Sequence, residues 1–142
     1  MIEELNLTKQ VELTNQMPQQ EVFNLMQSAD VFLLPSLEEG IANVAVEAMA
    51  LGTPVISTDC GGMQELITHQ KEGWVVPIYD TEALAEELIN FSSLSVQEIM
   101  AIKENALKKV KDQHNEERMV NGMIQLYNKV INLEIRFQSL QN

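Results

Sequence analysis

The feature of this chain that most constrains its fold is a continuous apolar run over residues 31–34. Apolar residues without polar alternation are typical of a strand that is covered on both faces. A short acidic turn follows, then Gly40, and then a predicted helix of small residues over 43–51 that carries Glu47. A strand that leads through a glycine-containing turn into a helix predicts an α/β layer. It also directs free N–H groups and the positive end of the helix dipole at one spot, where an anion can bind.

Strand and helix signals alternate over the first 90 or so residues. Apolar segments predict strands at 11–15, 31–34, 54–58 and 74–76, with a helix beginning at Pro18 and another capped by Asp80 or Thr81. Ser95 and Glu98 then form a capping-box pattern ahead of two long helices, over about 95–112 and 116–138. The fold class is therefore α/β, with a mostly parallel sheet, flanking helices and additional C-terminal helices.

Composition excludes several classes of function. The formal net charge of −12 argues against nucleic acid as a partner, because a phosphate backbone requires a basic surface. No apolar run is long enough to span a membrane, and one cysteine, Cys60, cannot form an internal disulfide framework. These features indicate a cytoplasmic protein. The two histidines are isolated, so no metal site is predicted, and Cys60 and Trp74 are interpreted as packing residues.

Glu39 and Glu47 are the candidate ligand-binding side chains. Two carboxylates on either side of a helix N-terminus supply acceptors for hydroxyl groups beside an anion site, which is chemistry suited to a sugar nucleotide. Taken alone, each is equally well a solvated loop or helix carboxylate. Glu39 is preferred over Glu38 because of its spacing to Glu47.

The surrounding residues change this assessment. In order along the chain they are Pro35-Ser36, Glu39-Gly40, Glu47-Ala48-Met49-Ala50, Gly52-Thr53-Pro54-Val55-Ile56, Gly61-Gly62, Glu65 and Gly73-Trp74-Val75-Val76-Pro77. Together they resemble the C-terminal, donor-binding half of GT-B glycosyltransferases, specifically the retaining family 4 (group 1), from about residue 11 to residue 91. The resemblance implies a Rossmann-like, nucleotide-sugar-binding domain over 1–92 that lacks its first strands. Residues 93–142 are then a helical tail packed on the same domain.

The resemblance also implies roles for individual residues. Glu39 lies beside the transferred sugar as the catalytic carboxylate, and Glu47 binds the two ribose hydroxyls. The backbone of the segment Gly40, Ile41, Ala42, Asn43 and Val44 contacts the sugar and the diphosphate, and the loop with Gln16 contacts the base. Asn43 can instead cap the helix. The segment with Gln16 is nearly as well interpreted as a polar loop without contact to a ligand. Gly-Ile-Ala replaces the more usual Gly-Phe-Gly, so a methyl group is expected where the ligand approaches.

Truncation is the expected explanation for a missing cation. No Lys or Arg occurs between Lys9 and Lys71, whereas the family supplies an Arg and a Lys from upstream segments. The implied partners are a nucleotide sugar and a missing N-terminal acceptor-binding domain. A second copy of the chain is a further candidate partner. Without the first two strands of the domain, we expect 11–15 to pair directly with 31–35, or a partner chain to complete the sheet.

The predicted function is transfer of a hexose from a nucleoside diphosphate sugar to an acceptor in cell-surface polysaccharide or glycolipid synthesis. No cofactor is required, and the chain alone is expected to be inactive. Two alternatives stay open: a sugar-nucleotide epimerase of the same fold, and a non-catalytic nucleotide-sugar-binding or helical interaction module. A cluster of lysines is most simply a solvated helix face. Peripheral association of this cluster with the inner membrane face is the open alternative. The cluster comprises Lys103, Lys108, Lys109 and Lys111.

Overall fold

The computed structural model describes residues 1–139, with side chains described through residue 132. Its elements in chain order are α1 (Gln19–Ser28), β1 (Phe32–Leu34), α2 (Asn43–Ala50), β2 (Val55–Thr58), α3 (Met63–Leu66), β3 (Trp74–Val76), α4 (Thr81–Ser92), α5 (Val96–Gln113) and α6 (Glu116–Ser139). Most boundaries lie within two residues of those expected. Asp80 caps α4, and the Ser95–Glu98 capping box begins α5, as the sequence predicts.

The three strands form one parallel sheet in the order β1-β2-β3. Leu33 pairs with Ile56, and Ile56 in turn pairs with Trp74, which places β2 in the centre. Helices α2 and α3 make the crossovers between successive strands. The predicted α/β class with a parallel sheet and flanking helices is therefore confirmed. Because the strands are parallel, their carboxyl ends and the loops that follow them lie at one edge of the sheet.

Hydrophobic clusters cover both faces of this sheet. One contains Val55 and Met49 together with the small residues of α2 and the end of α5, and the other contains Ile56, Trp74 and Phe91. The Trp74 and Phe91 rings meet edge to face, with centroids 5.5 Å apart. Every residue of β2 is buried, which explains why its sequence shows no simple apolar–polar alternation.

The two C-terminal helices differ in how they pack. Ile102, Ala106 and Val110 of α5 are buried, and α5 contacts α2. Every side chain of α6 over residues 116–132 is exposed, including its apolar ones. Met119, for example, is 65% exposed. That part of the tail therefore does not pack on the domain. Within the described part of the chain, no helix combines the length and apolarity needed to cross a bilayer.

The predicted strand at 11–15 is wrong. These residues adopt no strand, β1 pairs only with β2 among the described residues, and direct pairing of 11–15 with 31–35 does not occur. Leu13 is 79% exposed, so the alternating Val-Glu-Leu-Thr pattern has no core to cover. A strand requires a neighbouring ladder of hydrogen bonds, and a four-residue pattern does not say whether one is present.

Candidate functional site

The loop that leaves the carboxyl end of β1 contains the first candidate carboxylate. Glu39 is half-buried, and its Oε1 accepts a hydrogen bond from the Ser36 hydroxyl at 3.1 Å. The neighbouring Glu38 is exposed. The hydrogen bond from Ser36 orients the Glu39 carboxylate. Among the described residues, no hydrogen bond orients the Glu38 carboxylate in the same way.

A turn with two glycines follows β2 and packs closely against the backbone of this loop. Gly61 has a φ of +58°, and a Cβ at this position would lie only 1.6 Å from the Glu39 carbonyl oxygen. The Gly62 N–H donates to the Gly40 carbonyl at 2.8 Å. A Cβ at residue 62 would also lie 2.8 Å from Cγ1 of Ile41. The two glycines therefore allow the backbones of neighbouring loops to approach closely.

The N-terminus of α2 follows this loop. Its cap is Ala42, and no side chain makes a capping hydrogen bond there within the described residues. The Ala42 carbonyl accepts the N–H groups of Ala45 and Val46, at 2.9 and 3.3 Å. The first turn of α2 contains no acidic residue either. Among the described residues, the N–H groups of the first turn thus meet no side-chain acceptor, and no carboxylate within that turn neutralises the positive end of the helix dipole.

Two expectations about this segment need correction. Asn43 is the first helical residue rather than the cap, so its exposed side chain is not occupied by capping. Ala42 is 4% exposed and belongs to the core cluster around α2. The methyl group added by Gly-Ile-Ala therefore points into the core and does not obstruct the exposed backbone. A Cβ at Gly40, by contrast, would meet no atom within 4 Å, so there is open space beside that residue.

Glu47 is the fifth residue of α2 and is half-buried. It lies one turn after Asn43, and residues four apart share a face of a helix. The opposite face of α2 is buried through Ala45, Ala48 and Met49. Glu47 is therefore on the face that begins with the exposed Asn43 amide rather than on the core face.

Gln16 lies apart from these residues. It lines a largely apolar cavity of about 530 Å³ beside α1, together with Met17, Met26 and Phe32. Another cavity of about 440 Å³ opens after β2 and β3, near Asp59, Thr68 and His69. Residues 39–47 line neither cavity. The structure therefore brings together Glu39 and the backbone of residues 40–44, with Glu47 one turn further along α2, but it does not place Gln16 with them.

Three other candidate side chains, those of Cys60, Trp74 and His69, pack or form hydrogen bonds within the fold. Cys60 is 2% exposed, and Trp74 is 3% exposed against Phe91, as expected for packing residues. His69 accepts the Val75 N–H through Nδ1 at 3.2 Å, and its Nε2 lies 3.7 Å from Glu87. In the described part of the chain, no group of three or more His, Cys, Asp or Glu side chains is arranged to hold a metal ion.

Sequence reasoning missed a buried carboxylate. Glu72 is 4% exposed, accepts the Thr68 N–H at 2.9 Å, and lies 3.3 Å from the Lys71 ammonium and 3.8 Å from that of Lys109. Burial by itself would raise the pKa of Glu72, but the hydrogen bonds from Thr68 and Lys71 and the charge of Lys109 together lower it. Lys109 is only 14% exposed, so assigning it to a solvated lysine face was wrong.

Comparison with known proteins identifies the family. Residues 1–109 match the family described as Glycosyl transferases group 1. The glycosyltransferase WcaL of Escherichia coli K12, assigned to colanic acid biosynthesis, is 40% identical over 123 residues, which cover 82% of this chain and 30% of WcaL.

Solved structures agree with this family relationship. Sucrose-phosphate synthase of Thermosynechococcus elongatus superposes with a TM-score of 0.82 at 30% identity, over 93% of this chain and 33% of the synthase. HepE of Anabaena, solved with UDP-glucose, gives a TM-score of 0.79 at 24% identity, over 90% of this chain and 35% of HepE, and shows the shared fold. The chain thus spans about a third of the length of these proteins, and the expected GT-B fold is confirmed.

Proposed function

Because this chain belongs to the group 1 glycosyltransferases, we propose that it is the donor-binding part of a retaining family 4 enzyme, from the C-terminal half of the GT-B fold. The enzyme transfers a hexose from a nucleoside diphosphate sugar to an acceptor. One observation carries this proposal: the uncapped N-terminus of α2 follows a half-buried Glu39 and precedes a half-buried Glu47.

In this proposal the diphosphate binds at the N-terminus of α2. The N–H groups of Asn43 and Val44 donate to phosphate oxygens, and the helix dipole contributes roughly half an elementary positive charge. The open space beside Gly40 admits the ligand close to the backbone. These groups stabilise the negative charge that develops on the departing diphosphate, without reorganisation during the reaction.

The two carboxylates have separate roles. Glu39 accepts hydrogen bonds from hydroxyl groups of the transferred sugar, beside the bond that breaks. Glu47 accepts from the two ribose hydroxyls, because two carboxylate oxygens match the two donors of a cis-diol. The relationship to WcaL supports an acceptor in cell-surface polysaccharide or glycolipid synthesis.

Nucleotide binding by the 142-residue chain tests this proposal. Calorimetry with UDP and UDP-glucose, chosen because HepE holds UDP-glucose, should show binding of both by the unsubstituted chain. Glu47→Gln should weaken both ligands by about tenfold, since each loses a charged acceptor for the ribose. Glu39→Gln should weaken UDP-glucose and leave UDP unchanged, since UDP has no hexose. GDP- and dTDP-sugars are measured alongside to identify the base.

Glu86→Gln provides a matched control, because Glu86 is an exposed carboxylate in the middle of α4. This variant should bind both ligands like the unsubstituted chain. The proposal is wrong if none of the nucleotide sugars binds, or if Glu86→Gln and Glu47→Gln have equal effects. We also expect the isolated chain to transfer no sugar to an acceptor, and transfer at ordinary enzymatic rates would contradict that expectation.

A further inference from the structure

Glu39 is held by a short series of hydrogen bonds that starts on β2. The Ser36 hydroxyl donates to Oε1 of Glu39 at 3.1 Å. The main-chain carbonyl of Ser36 in turn accepts a hydrogen bond from the Thr58 hydroxyl. Thr58 is the last residue of β2 and is 5% exposed. The carboxylate is thereby connected through one residue to the most deeply buried strand of the sheet.

The neighbouring hydroxyl on β2 reinforces this connection. Ser57 is completely buried, and its hydroxyl lies 3.3 Å from the carbonyl of Leu34, the last residue of β1. The Ser57 hydroxyl also lies 3.0 Å from the Thr58 carbonyl, so its one proton is shared between its own strand and the end of β1. The hydrogen bond from Thr58 to Ser36 is a tertiary contact, because the two residues lie 22 positions apart in the sequence.

The Ser36 hydrogen bond has a chemical consequence for Glu39. An ionised carboxylate has about four acceptor sites on its two oxygens, and Ser36 occupies one of them. The rest stay available to ligand hydroxyls, and the carboxylate no longer has to be ordered when a ligand binds. We propose that Ser36 is a positioning residue that fixes the Glu39 carboxylate for the donor sugar, with Thr58 holding Ser36 in place. This inference rests on the proposed function.

Ser36→Ala tests the inference in the 142-residue chain. The measured quantity is the ratio of UDP-glucose affinity to UDP affinity, which isolates the contribution of the sugar. Ser36→Ala should lower this ratio about fivefold and leave UDP binding unchanged. Ser36→Thr, which keeps the hydroxyl, should restore it. Adding Ser36→Ala to Glu39→Gln should cause no further loss, because the serine acts only through the carboxylate.

Ser28→Ala is the matched control, since the Ser28 hydroxyl donates to the Leu25 carbonyl of its own helix, at 2.9 Å, on an exposed surface. This variant should keep the ratio of the unsubstituted chain. The inference is overturned if Ser36→Ala also keeps that ratio. It is likewise overturned if Ser36→Thr fails to restore the ratio although Ser36→Ala and Ser36→Thr unfold at the same urea concentration as the unsubstituted chain.

A ligand-free measurement separates this inference from the proposed function. NMR scalar couplings should report a single χ1 rotamer for Glu39 in the unsubstituted chain and averaged rotamers in Ser36→Ala. If UDP-glucose shows no advantage over UDP, the proposed function fails, and these couplings still decide whether Ser36 orders Glu39. Equal couplings in the two proteins would show that Ser36 does not position the carboxylate.

Discussion

The N-termini of α2 and α5 are built in opposite ways. At α5, the Ser95 hydroxyl accepts the Glu98 N–H at 3.3 Å, and the Glu98 carboxylate accepts the Ser95 N–H at 2.8 Å. The Ser95 hydroxyl also donates to the Glu98 carboxylate at 2.6 Å, and this bond, followed by the one from the Ser95 N–H, lowers the pKa of Glu98. At α2, the cap is Ala42, and neither a capping side chain nor a first-turn acid is present in the described structure. The first turn of α5 is capped by its own side chains, whereas that of α2 has no side-chain acceptor among the described residues.

The two helix N-termini also differ in whether the residues that hold them are close or distant in the sequence. The capping box of α5 involves residues three positions apart, so α5 can begin wherever that short pattern occurs. The segment that leads into α2 is held by Gly61, Gly62 and Thr58, from the end of the next strand. The N-terminus of α2 has no side-chain cap among the described residues. Its geometry therefore has to come from elsewhere in the fold.

Gly61→Ala should have the largest effect and tests the distant support directly. The added Cβ would lie 1.6 Å from the Glu39 carbonyl oxygen at a φ of +58°, so the acidic loop has to move. We expect the free energy of unfolding to fall by about 3 kcal/mol and the preference for UDP-glucose over UDP to disappear. Urea denaturation and calorimetry measure the two effects.

Gly52→Ala is the control for backbone strain alone. Gly52 has a φ of +82°, but a Cβ there meets nothing within 4 Å. This variant should lose only about 1 kcal/mol and bind UDP-glucose normally. Equal losses in the two variants would show that the contact between Gly61 and Glu39 does not support the loop.

Glu72→Gln should have the next largest effect and asks whether α5 also has distant support. Glu72 contacts Lys109, in the body of α5. Removing the charge of this buried carboxylate should lower the free energy of unfolding by about 2 kcal/mol. Because folding lowers the pKa of Glu72 from its ordinary value of about 4.5, its contribution is complete well above that value and is lost as the pH falls through the folded pKa.

The pH dependence and a second variant check this assignment. The stability difference between Glu72→Gln and the unsubstituted chain should be constant from about pH 7 to pH 5 and should shrink below about pH 4. Lys71→Met should cost less than about 0.5 kcal/mol, because that ammonium is 65% exposed. A difference that persists unchanged at acidic pH would mean that the charge of Glu72 is not what stabilises the fold.

Asn43→Asp would make the N-terminus of α2 resemble that of α5. A carboxylate in the first turn should raise the free energy of unfolding by about 0.5 kcal/mol through the helix dipole. It should also weaken UDP binding about tenfold by repelling the diphosphate. Gln97→Glu, in the exposed first turn of α5, should stabilise similarly without affecting UDP. If both variants leave UDP binding intact, the diphosphate does not bind at α2.

Ser95→Ala should have a purely local effect. Loss of the N-cap hydroxyl should lower the free energy of unfolding by about 1 kcal/mol, with unchanged affinity for UDP and UDP-glucose. Ser92→Ala, which removes an exposed hydroxyl bonded to the Ile89 carbonyl of its own helix, should change neither quantity. A change in nucleotide affinity in Ser95→Ala would show that the two helix N-termini are coupled.

Short-range patterns explain which structural expectations hold. The Ser95–Glu98 box and the Asp80 cap are correctly predicted because capping chemistry acts within one turn. The strand at 11–15 is wrong because pairing depends on a distant edge. The burial of Glu72 was not predicted for the same reason, since its partner Lys109 lies 37 positions later in the sequence, on α5. A buried Glu followed by glycine gives no sequence signal that distinguishes it from a solvated turn.

The candidate site combines both kinds of information. The residue types and spacing of Glu39, Gly40 and Glu47, and the small residues that let α2 pack against the sheet, can be read from the chain, because periodicity and turn chemistry are local. The orientation of Glu39 and the inward direction of the Ala42 methyl come from the assembled fold. Hydrogen bonds and close backbone contacts between the ends of β1 and β2 set them, and those strand ends meet only after the parallel sheet has formed.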